Sequence, residues 1–208
     1  THYKQSLRVV EQLENDGEGL NLTWEVRDGI VNHTGDHMAS TLEGVIVKYA
    51  DRIAYINHDI DDACRARIMS VDDIPKDIVA VLGNGHSQRI NSMVTAVIDG
   101  STDSDTIAMT EEVAQATAEL RDFLFKNVYL NPIAKSEDEK AQELLYRLFE
   151  YYEKYPEKMP ALFYRNTEKE SVKRCVCDYV SGMTDRYAID LYKKLFIPSV
   201  WSVTDSSY

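Results

Sequence analysis

Chemically reactive side chains follow one face of residues 40–68, a stretch whose pattern predicts a single long helix. At roughly 100° per residue, the carboxylates and the rings they flank fall on one side and an apolar stripe falls on the other. Carboxylates can bind a cation or accept a hydroxyl proton, and a phenol can donate one. The row is therefore a candidate binding surface, although by periodicity alone a solvated face is the simpler interpretation. Its members are Asp51, Tyr55, His58, Asp59 and Asp62.

The spacing along this row restricts what it can bind. Asp51 and Asp59 are separated by eight residues, which places their backbones about 12 Å apart along a helix axis. Both carboxylates cannot readily ligate one metal ion. They could instead bracket an elongated ligand, with Asp51 near a metal and Asp59 near a hydroxyl.

Two histidine patterns give weaker signals. His33 and His37 have the spacing of paired metal ligands on a helix, but Gly35 lies between them and favours a loop. His58 and Asp59 form a literal His-Asp pair, yet neighbours on a helix diverge by roughly 100°. Neither pattern predicts a metal site by itself.

Arg121 and Tyr129 repeat the eight-residue spacing within LRDFLFKNVY. This spacing places a cation and a phenol two turns apart near one helix face. Taken alone, the pair is better interpreted as a surface charge and a half-buried core residue.

Capping signals and apolar periodicity indicate the helices that must position these residues. Ser40 with Glu43 predicts a capping box at the start of the long helix, as do Ser136 with Glu139 and Thr167 with Glu170 for later helices. Thr184 is expected to start the last helix, which Pro198 stops. The buried stripe of the long helix is predicted to contain Leu42, Val45, Ile46, Tyr49, Ile53, Ile56, Ile60, Ala63 and Cys64.

No strand-type alternation persists along the chain, so the sequence predicts an all-α fold. Helical spacing recurs in residues 2–14, 22–31, 75–82, 86–98, 110–129, 136–154, 167–182 and 184–196. The segment 99–105 is rich in Gly, Ser, Thr and Asp, as linkers are. We therefore expect one domain over residues 1–100 and a second over 101–208. Because a helical pattern begins directly at Thr1, we also expect this chain to be the middle of a longer protein.

Composition narrows the function classes. The 208 residues are 44% hydrophobic and 28% charged, with a formal charge of −12. This charge argues against non-specific nucleic-acid binding, so a phosphate ligand would need a local basic patch or a metal. No apolar run approaches the ~20 residues of a membrane span. We expect a cytoplasmic protein without a membrane partner, whose three cysteines are reduced.

Five ordered motifs together resemble the dGTPase-like branch of the HD-domain phosphohydrolases. They are HYKQSLRVV, LTWEVRDGIVNH, LEGVIVKYADRIAYINHDIDDA, LRDFLFKNVY and DYVSGMTDRYAIDLY, and they span nearly the whole chain. The resemblance implies hydrolysis of a dNTP to a deoxynucleoside and inorganic triphosphate. It also implies that residues 1–100 are part of an HD-type core and residues 101–208 are the HD-associated helical region.

The same resemblance assigns the metal and the chemistry. The family holds a divalent metal, expected here to be Mg²⁺ or Mn²⁺, with a histidine, a His-Asp pair and a distal aspartate. Asp51 matches the distal aspartate. The family's other ligands precede the point where this chain begins, so His58 and Asp59 are not its doublet. His2 resembles a catalytic histidine that handles protons or orients water.

The substrate contacts follow from the resemblance as well. Arg52 and Arg121 resemble residues that contact the phosphates. Tyr55 and Asp59 resemble residues that read the deoxyribose, and Tyr129 is expected to pack near the sugar.

The resemblance also suggests a homo-oligomer with a dNTP as an allosteric effector. Because this chain has only one of the four metal ligands, it would supply part of a catalytic site. Two alternatives stay open: a truncated or degenerate nucleotide-binding regulator without activity of its own, and an all-α interaction scaffold.

Overall fold

The computed structural model describes residues 1–198, apart from the side chains of residues 133 and 134, and over this range every regular element is a helix. The all-α prediction is confirmed. The α-helices are α1 His2–Arg8, α2 Trp24–Asn32, α3 Leu42–Arg65, α4 Lys76–Leu82, α5 His86–Ser101, α6 Glu111–Leu124, α7 Pro132–Lys135, α8 Asp138–Lys154, α9 Ala161–Asn166, α10 Val172–Ser181 and α11 Asp185–Phe196. Two π-helical segments, Val9–Leu13 and Phe125–Tyr129, extend α1 and α6, and short 3-10 turns lie at Asn15–Gly17, Val71–Asp73 and Pro156–Lys158.

The first compact unit comprises Thr1–Ser136. Helix α3 packs against α2 and α5, and α4 packs against both α5 and α6. Apolar side chains from these helices exclude water from the centre of the unit, which is the main favourable contribution to its stability. The apolar side chains of this unit with no exposed surface are Ile56, Ile60, Leu82, Met93, Leu120 and Leu124.

The second compact unit begins at Glu137. Helix α8 packs against α10 and α11 around an aromatic core in which the Tyr152 and Tyr179 rings meet edge to face, with centroids 5.1 Å apart. The hydroxyl groups of Tyr179 and Tyr187 lie 2.9 Å apart, so the buried Tyr179 hydroxyl has a hydrogen-bond partner in the exposed Tyr187. This unit has its own hydrophobic core.

The division into compact units does not fall at residue 100, where the sequence places a domain boundary. Helix α6 packs on α4 and α5, so it belongs with the first unit, and the division comes after Ser136. The segment 99–105 resembles a linker in composition. The backbone N–H of Thr110, the N-cap of α6, nevertheless donates to Ala96 O on α5 at 3.1 Å and holds α5 and α6 close together. Residues 199–208 of the predicted second domain lie outside the described residues.

Helix α3 begins one residue later than the predicted capping box allows. Thr41 is the N-cap, and its hydroxyl accepts a hydrogen bond from Gly44 N at 3.2 Å. The boxes at Ser136 and Thr167 are wrong too, because α8 follows Glu137 without a side-chain cap and Thr167 ends α9. Thr184 does cap α11, as predicted, by accepting from Tyr187 N at 3.3 Å.

The buried stripe of α3 is confirmed at five of its nine predicted members, namely Val45, Ile53, Ile56, Ile60 and Ala63. Tyr49 and Cys64 are partly buried, whereas Leu42 and Ile46 are each nearly half exposed. The stripe is therefore buried mainly from Ile53 onward.

Helices α2 and α3 cross at a pair of glycines. A Cβ at Gly29 would lie 3.6 Å from the Gly44 Cα, an ordinary contact. A Cβ at Gly44 would lie 2.5 Å from the Ala39 Cβ and 3.3 Å from the Thr41 Oγ1. Position 44 therefore has no room for a methyl group beside Ala39 and the Thr41 cap, whereas position 29 has room for one.

This asymmetry predicts opposite effects for two matched substitutions. We expect Gly44→Ala to lower the free energy of unfolding by about 1–3 kcal/mol, because the added methyl group overpacks against Ala39 and the Thr41 cap. Gly29→Ala should be neutral or raise it by up to about 1 kcal/mol, since alanine favours a helix interior. Urea denaturation of both variants measures the difference, and equal stability would contradict the crossing geometry.

Among the helices of residues 1–198, none combines the length and the apolar character needed to cross a membrane.

Candidate active site

Asp51 lies on the exposed side of α3 and lines a cavity of about 580 Å³ between α2 and α3. His33, at the C-terminal end of α2, lines the same cavity. Glu25 and Glu43 line it as well and make its polar groups mainly acidic. A carboxylate with this exposure can reach a cation, and the acidic surroundings favour a cation over a phosphate.

His2 lies beside His33. Their ring centroids are 5.3 Å apart with the planes at 67°, an edge-to-face arrangement. The His33 Nδ1 lies 2.7 Å from the carbonyl oxygen of Ile30, which holds its ring against the end of α2. The structure thus places the predicted catalytic histidine next to a residue that lines the Asp51 cavity.

Arg52 faces a second cavity, of about 240 Å³, which Arg121 and Tyr49 also line. Arg52 follows Asp51 on α3, so their side chains diverge by roughly 100° and serve different cavities. Two guanidinium groups lining one small cavity form the local basic patch that an acidic protein needs to bind phosphate. The two predicted phosphate contacts are therefore brought together.

Asp59 and Tyr129 are also brought together, although 70 residues separate them in sequence. The Tyr129 hydroxyl donates a hydrogen bond to Asp59 Oδ2. Burial raises the pKa of the Tyr129 phenol, and the bond to the Asp59 carboxylate raises it further. Tyr129 is therefore a protonated donor at neutral pH, and Asp59 Oδ1 is the carboxylate's other acceptor.

A π-helical turn aims Tyr129 at Asp59. Residues Phe125–Tyr129 continue α6 with a wider turn, in which Leu130 N donates to Phe125 O at 3.2 Å. Such turns alter the direction of later side chains and occur often at functional sites. The spacing from Arg121 to Tyr129 therefore does not follow an ideal α-helix.

The remaining members of the row on α3 separate into different surroundings. Tyr55 is half-buried against the core, and its interaction with Tyr129 contributes to the raised pKa of that phenol. The His58 ring stacks on His86, with centroids 6.1 Å apart, and points away from Asp59 and its partner. The expectation that His58 and Asp59 do not act as a pair agrees with this arrangement.

Comparison with known proteins now identifies relatives. Residues 107–194 match the family described as "Phosphohydrolase-associated domain". A protein named deoxyguanosinetriphosphate triphosphohydrolase-like, from Caldanaerobacter subterraneus subsp. tengcongensis, is 50% identical over 200 residues, 96% of this chain and 59% of that protein. Proteins of the same name from Clostridium perfringens and Clostridium tetani are 42% and 41% identical, covering 95% and 96% of this chain and 60% of each relative.

The chain is similar over nearly its whole length to proteins named deoxyguanosinetriphosphate triphosphohydrolase-like. The resemblance stated from its motifs is confirmed. The chain spans about 60% of the length of these relatives. The phosphohydrolase-associated match begins at residue 107, between the sequence boundary at residue 100 and the end of the first compact unit at Ser136.

Sequence reasoning missed three buried polar residues near the site. Lys48 and Asn57 lie on α3, and Arg89 lies on α5 with 1% of its surface exposed. Arg89 Nε donates to Asn57 Oδ1 at 3.0 Å, and its Nη1 donates to the Asn84 carbonyl at 2.6 Å. Asn57 falls on the buried side of the predicted stripe, between Ile53 and Ile60, and this polar interruption was the available signal.

The described residues do not hold a complete metal site. Asp51 offers the hard oxygen ligand that Mg²⁺ or Mn²⁺ prefers. Within residues 1–198, however, no three His, Cys, Asp or Glu side chains are grouped so that they could hold a metal ion. Asp51 therefore fits a divalent metal as one ligand only.

Proposed function

We propose that this chain is part of a dNTP triphosphohydrolase that releases inorganic triphosphate and leaves a deoxynucleoside. The observation that carries the proposal is the pair of subsites on α3. Arg52 lines one cavity with Arg121, and about two turns further along the helix Asp59 accepts a hydrogen bond from Tyr129. The relatives' name agrees with this chemistry.

The two subsites suit the two ends of a nucleotide. The guanidinium groups of Arg52 and Arg121 can form charge-assisted hydrogen bonds with phosphate oxygens. The free acceptor of Asp59 and the half-buried Tyr55 can bind the deoxyribose, with the carboxylate accepting from the 3′-hydroxyl. Tyr129 holds Asp59 in place for this contact. Which dNTP is bound is left open, with dGTP suggested by the relatives' name.

Asp51 would be one ligand of a divalent cation, Mg²⁺ or Mn²⁺, which when bound would polarise the α-phosphate and activate water. The other ligands would come from polypeptide outside the described residues. His2, whose ring contacts His33, would act either by moving a proton or by orienting the attacking water. Each of these roles is part of the proposal.

The product mixture tests the proposal. The intact protein is incubated with each dNTP and Mg²⁺ or Mn²⁺, and products are separated by anion-exchange chromatography. We expect equal amounts of deoxynucleoside and inorganic triphosphate. Release of inorganic phosphate with a deoxynucleoside diphosphate would show cleavage between the β- and γ-phosphates instead. Release of pyrophosphate with a deoxynucleoside monophosphate would show cleavage between the α- and β-phosphates.

One observation favours a second candidate. Because Asp51 has no grouped metal ligands among the described residues, the chain could bind a dNTP without hydrolysing it, as a regulatory subunit. Saturable dNTP binding with no product, in protein supplied with metal, would select this alternative. Light scattering of the same samples, with and without dNTP, measures the molar mass of the assembly. It therefore tests whether the protein forms the homo-oligomer that the resemblance suggests and whether a dNTP changes its size.

A further inference from the structure

Lys48 is a buried cation on α3, the helix that also carries Asp51 and Arg52. Only 5% of its surface is exposed, which is rare for a lysine. It lies on α3 one turn before Asp51 and Arg52. Burying an ammonium group is costly unless its donors are satisfied, so its partners are informative.

Both partners of the ammonium group are backbone carbonyls of the loop between α2 and α3. Lys48 Nζ donates to Gly35 O at 2.7 Å and to His37 O. Gly35 has a positive φ of 74°, which glycine adopts without strain. The lysine thus fastens this loop to α3 at two points.

At one end, the loop between α2 and α3 begins directly after His33. His33 is the C-cap of α2, and its ring contacts His2. At the other end, Ser40 N donates to Asp28 Oδ2 at 2.6 Å and returns the chain to α2. Lys48 is therefore the link between α3, which carries Asp51, and the loop that follows His33.

The charges around Lys48 show that this arrangement is costly. Burial lowers the pKa of the ammonium group, the nearby Arg52 guanidinium lowers it further, and Asp36 in the loop opposes the change. Methionine would fill much of the same volume without this cost. Filling this space does not need a charged group. Donating hydrogen bonds to two carbonyl oxygens does need the ammonium group.

We propose that Lys48 is a positioning residue, which sets where the His2 and His33 rings lie relative to Asp51 by fastening the loop carbonyls of residues 35 and 37 to α3. Its relevance to turnover rests on the proposed function. Lys48 does not itself face either cavity, so it acts through the loop and not on the substrate.

The test uses the intact protein and four variants. Lys48→Met removes the donors and keeps the stem, and Lys48→Arg restores donors. Lys76→Met makes the same chemical change on an exposed lysine of α4. Ile78→Val removes one core methylene far from the loop and controls for stability.

Two structural measurements do not depend on activity. In protein with ¹³C-labelled histidine, the NOE between the His2 and His33 rings should weaken in Lys48→Met and persist in Lys76→Met and Ile78→Val. Exchange of the Ser40 amide should accelerate by roughly 10- to 100-fold, because the loop loses two charge-assisted hydrogen bonds. Unchanged ring contacts and exchange in Lys48→Met would overturn the proposal.

Kinetics then separate positioning from stability. We expect Lys48→Met to lower kcat by roughly 10- to 100-fold, as small misplacements of catalytic groups do, with KM for the dNTP nearly unchanged. Lys48→Arg should recover part of kcat. An equal fall in kcat in Ile78→Val would overturn the positioning role. A rise in KM of Lys48→Met with kcat unchanged would overturn it as well. If the unsubstituted protein hydrolyses no dNTP, the proposed function fails, and the NOE and exchange data still decide whether Lys48 positions the histidines.

Discussion

Asp51→Ala is expected to abolish turnover of a dNTP by the intact protein, with a fall in kcat/KM of roughly a thousandfold, or about 4 kcal/mol. The proposed site would lose a carboxylate ligand that none of the described side chains is placed to replace. Because Asp51 is exposed, the substitution should leave the core packing and the melting temperature unchanged. Bound metal, measured by mass spectrometry, should fall together with the rate.

Asp62 provides the matched control. It lies on the same helix and is exposed, with Arg65 as its ion-pair partner. Asp62→Ala removes the same charge three turns away and should leave both metal content and rate near those of the unsubstituted protein. If Asp51→Ala kept full metal occupancy and a near-normal rate, Asp51 would not be a metal ligand.

The fold was largely predictable because its helices are long and periodic. The predicted stripe on α3 is apolar at helical spacing, and its members Val45, Ile53, Ile56, Ile60 and Ala63 are buried. The residues that cap helices were less predictable. Ser40 and Thr41 are both good N-caps by type. In the structure the Ser40 backbone N–H donates to Asp28 on α2, a contact that no local pattern reveals.

The candidate site was predictable only in part, and mainly through resemblance. The two arginines that line one cavity come from α3 and α6, and no spacing rule relates positions in different helices. The bond from Tyr129 to Asp59 depends on a π-helical turn, whereas helical periodicity assumes a constant rotation per residue. The buried Lys48 was overlooked because lysine is ordinarily a surface residue.

The proposed subsites would also allow an acidic protein to bind a polyanion. The acidic groups Glu25, Glu43 and Asp51 line one cavity, while Arg52 and Arg121 line the other. Adjacent positions 51 and 52 of α3 divide the two, because neighbours on a helix point in different directions. The formal charge of −12 therefore does not describe the surroundings of the proposed phosphate subsite.

Asp59→Ala is expected to lower kcat/KM by roughly 10- to 150-fold, which corresponds to about 1.5–3 kcal/mol for a charge-assisted hydrogen bond. The proposed contact is between Asp59 Oδ1 and the 3′-hydroxyl, since Oδ2 already accepts from Tyr129. Metal content should not change, because two turns of α3 separate Asp59 from Asp51. Tyr129→Phe should produce a smaller loss, since it leaves the carboxylate in place but removes the donor that orients it.

A 3′-deoxy substrate separates this contact from a general loss of structure. With the unsubstituted protein, removing the 3′-hydroxyl should cost about as much as Asp59→Ala, because each change deletes the same hydrogen bond. Combining the two should then cost little more than either alone, so that kcat/KM for the four combinations shows strong coupling. Losses that simply add would mean that Asp59 does not touch the hydroxyl, and its bond with Tyr129 would then be a structural link between α3 and the π-helical end of α6.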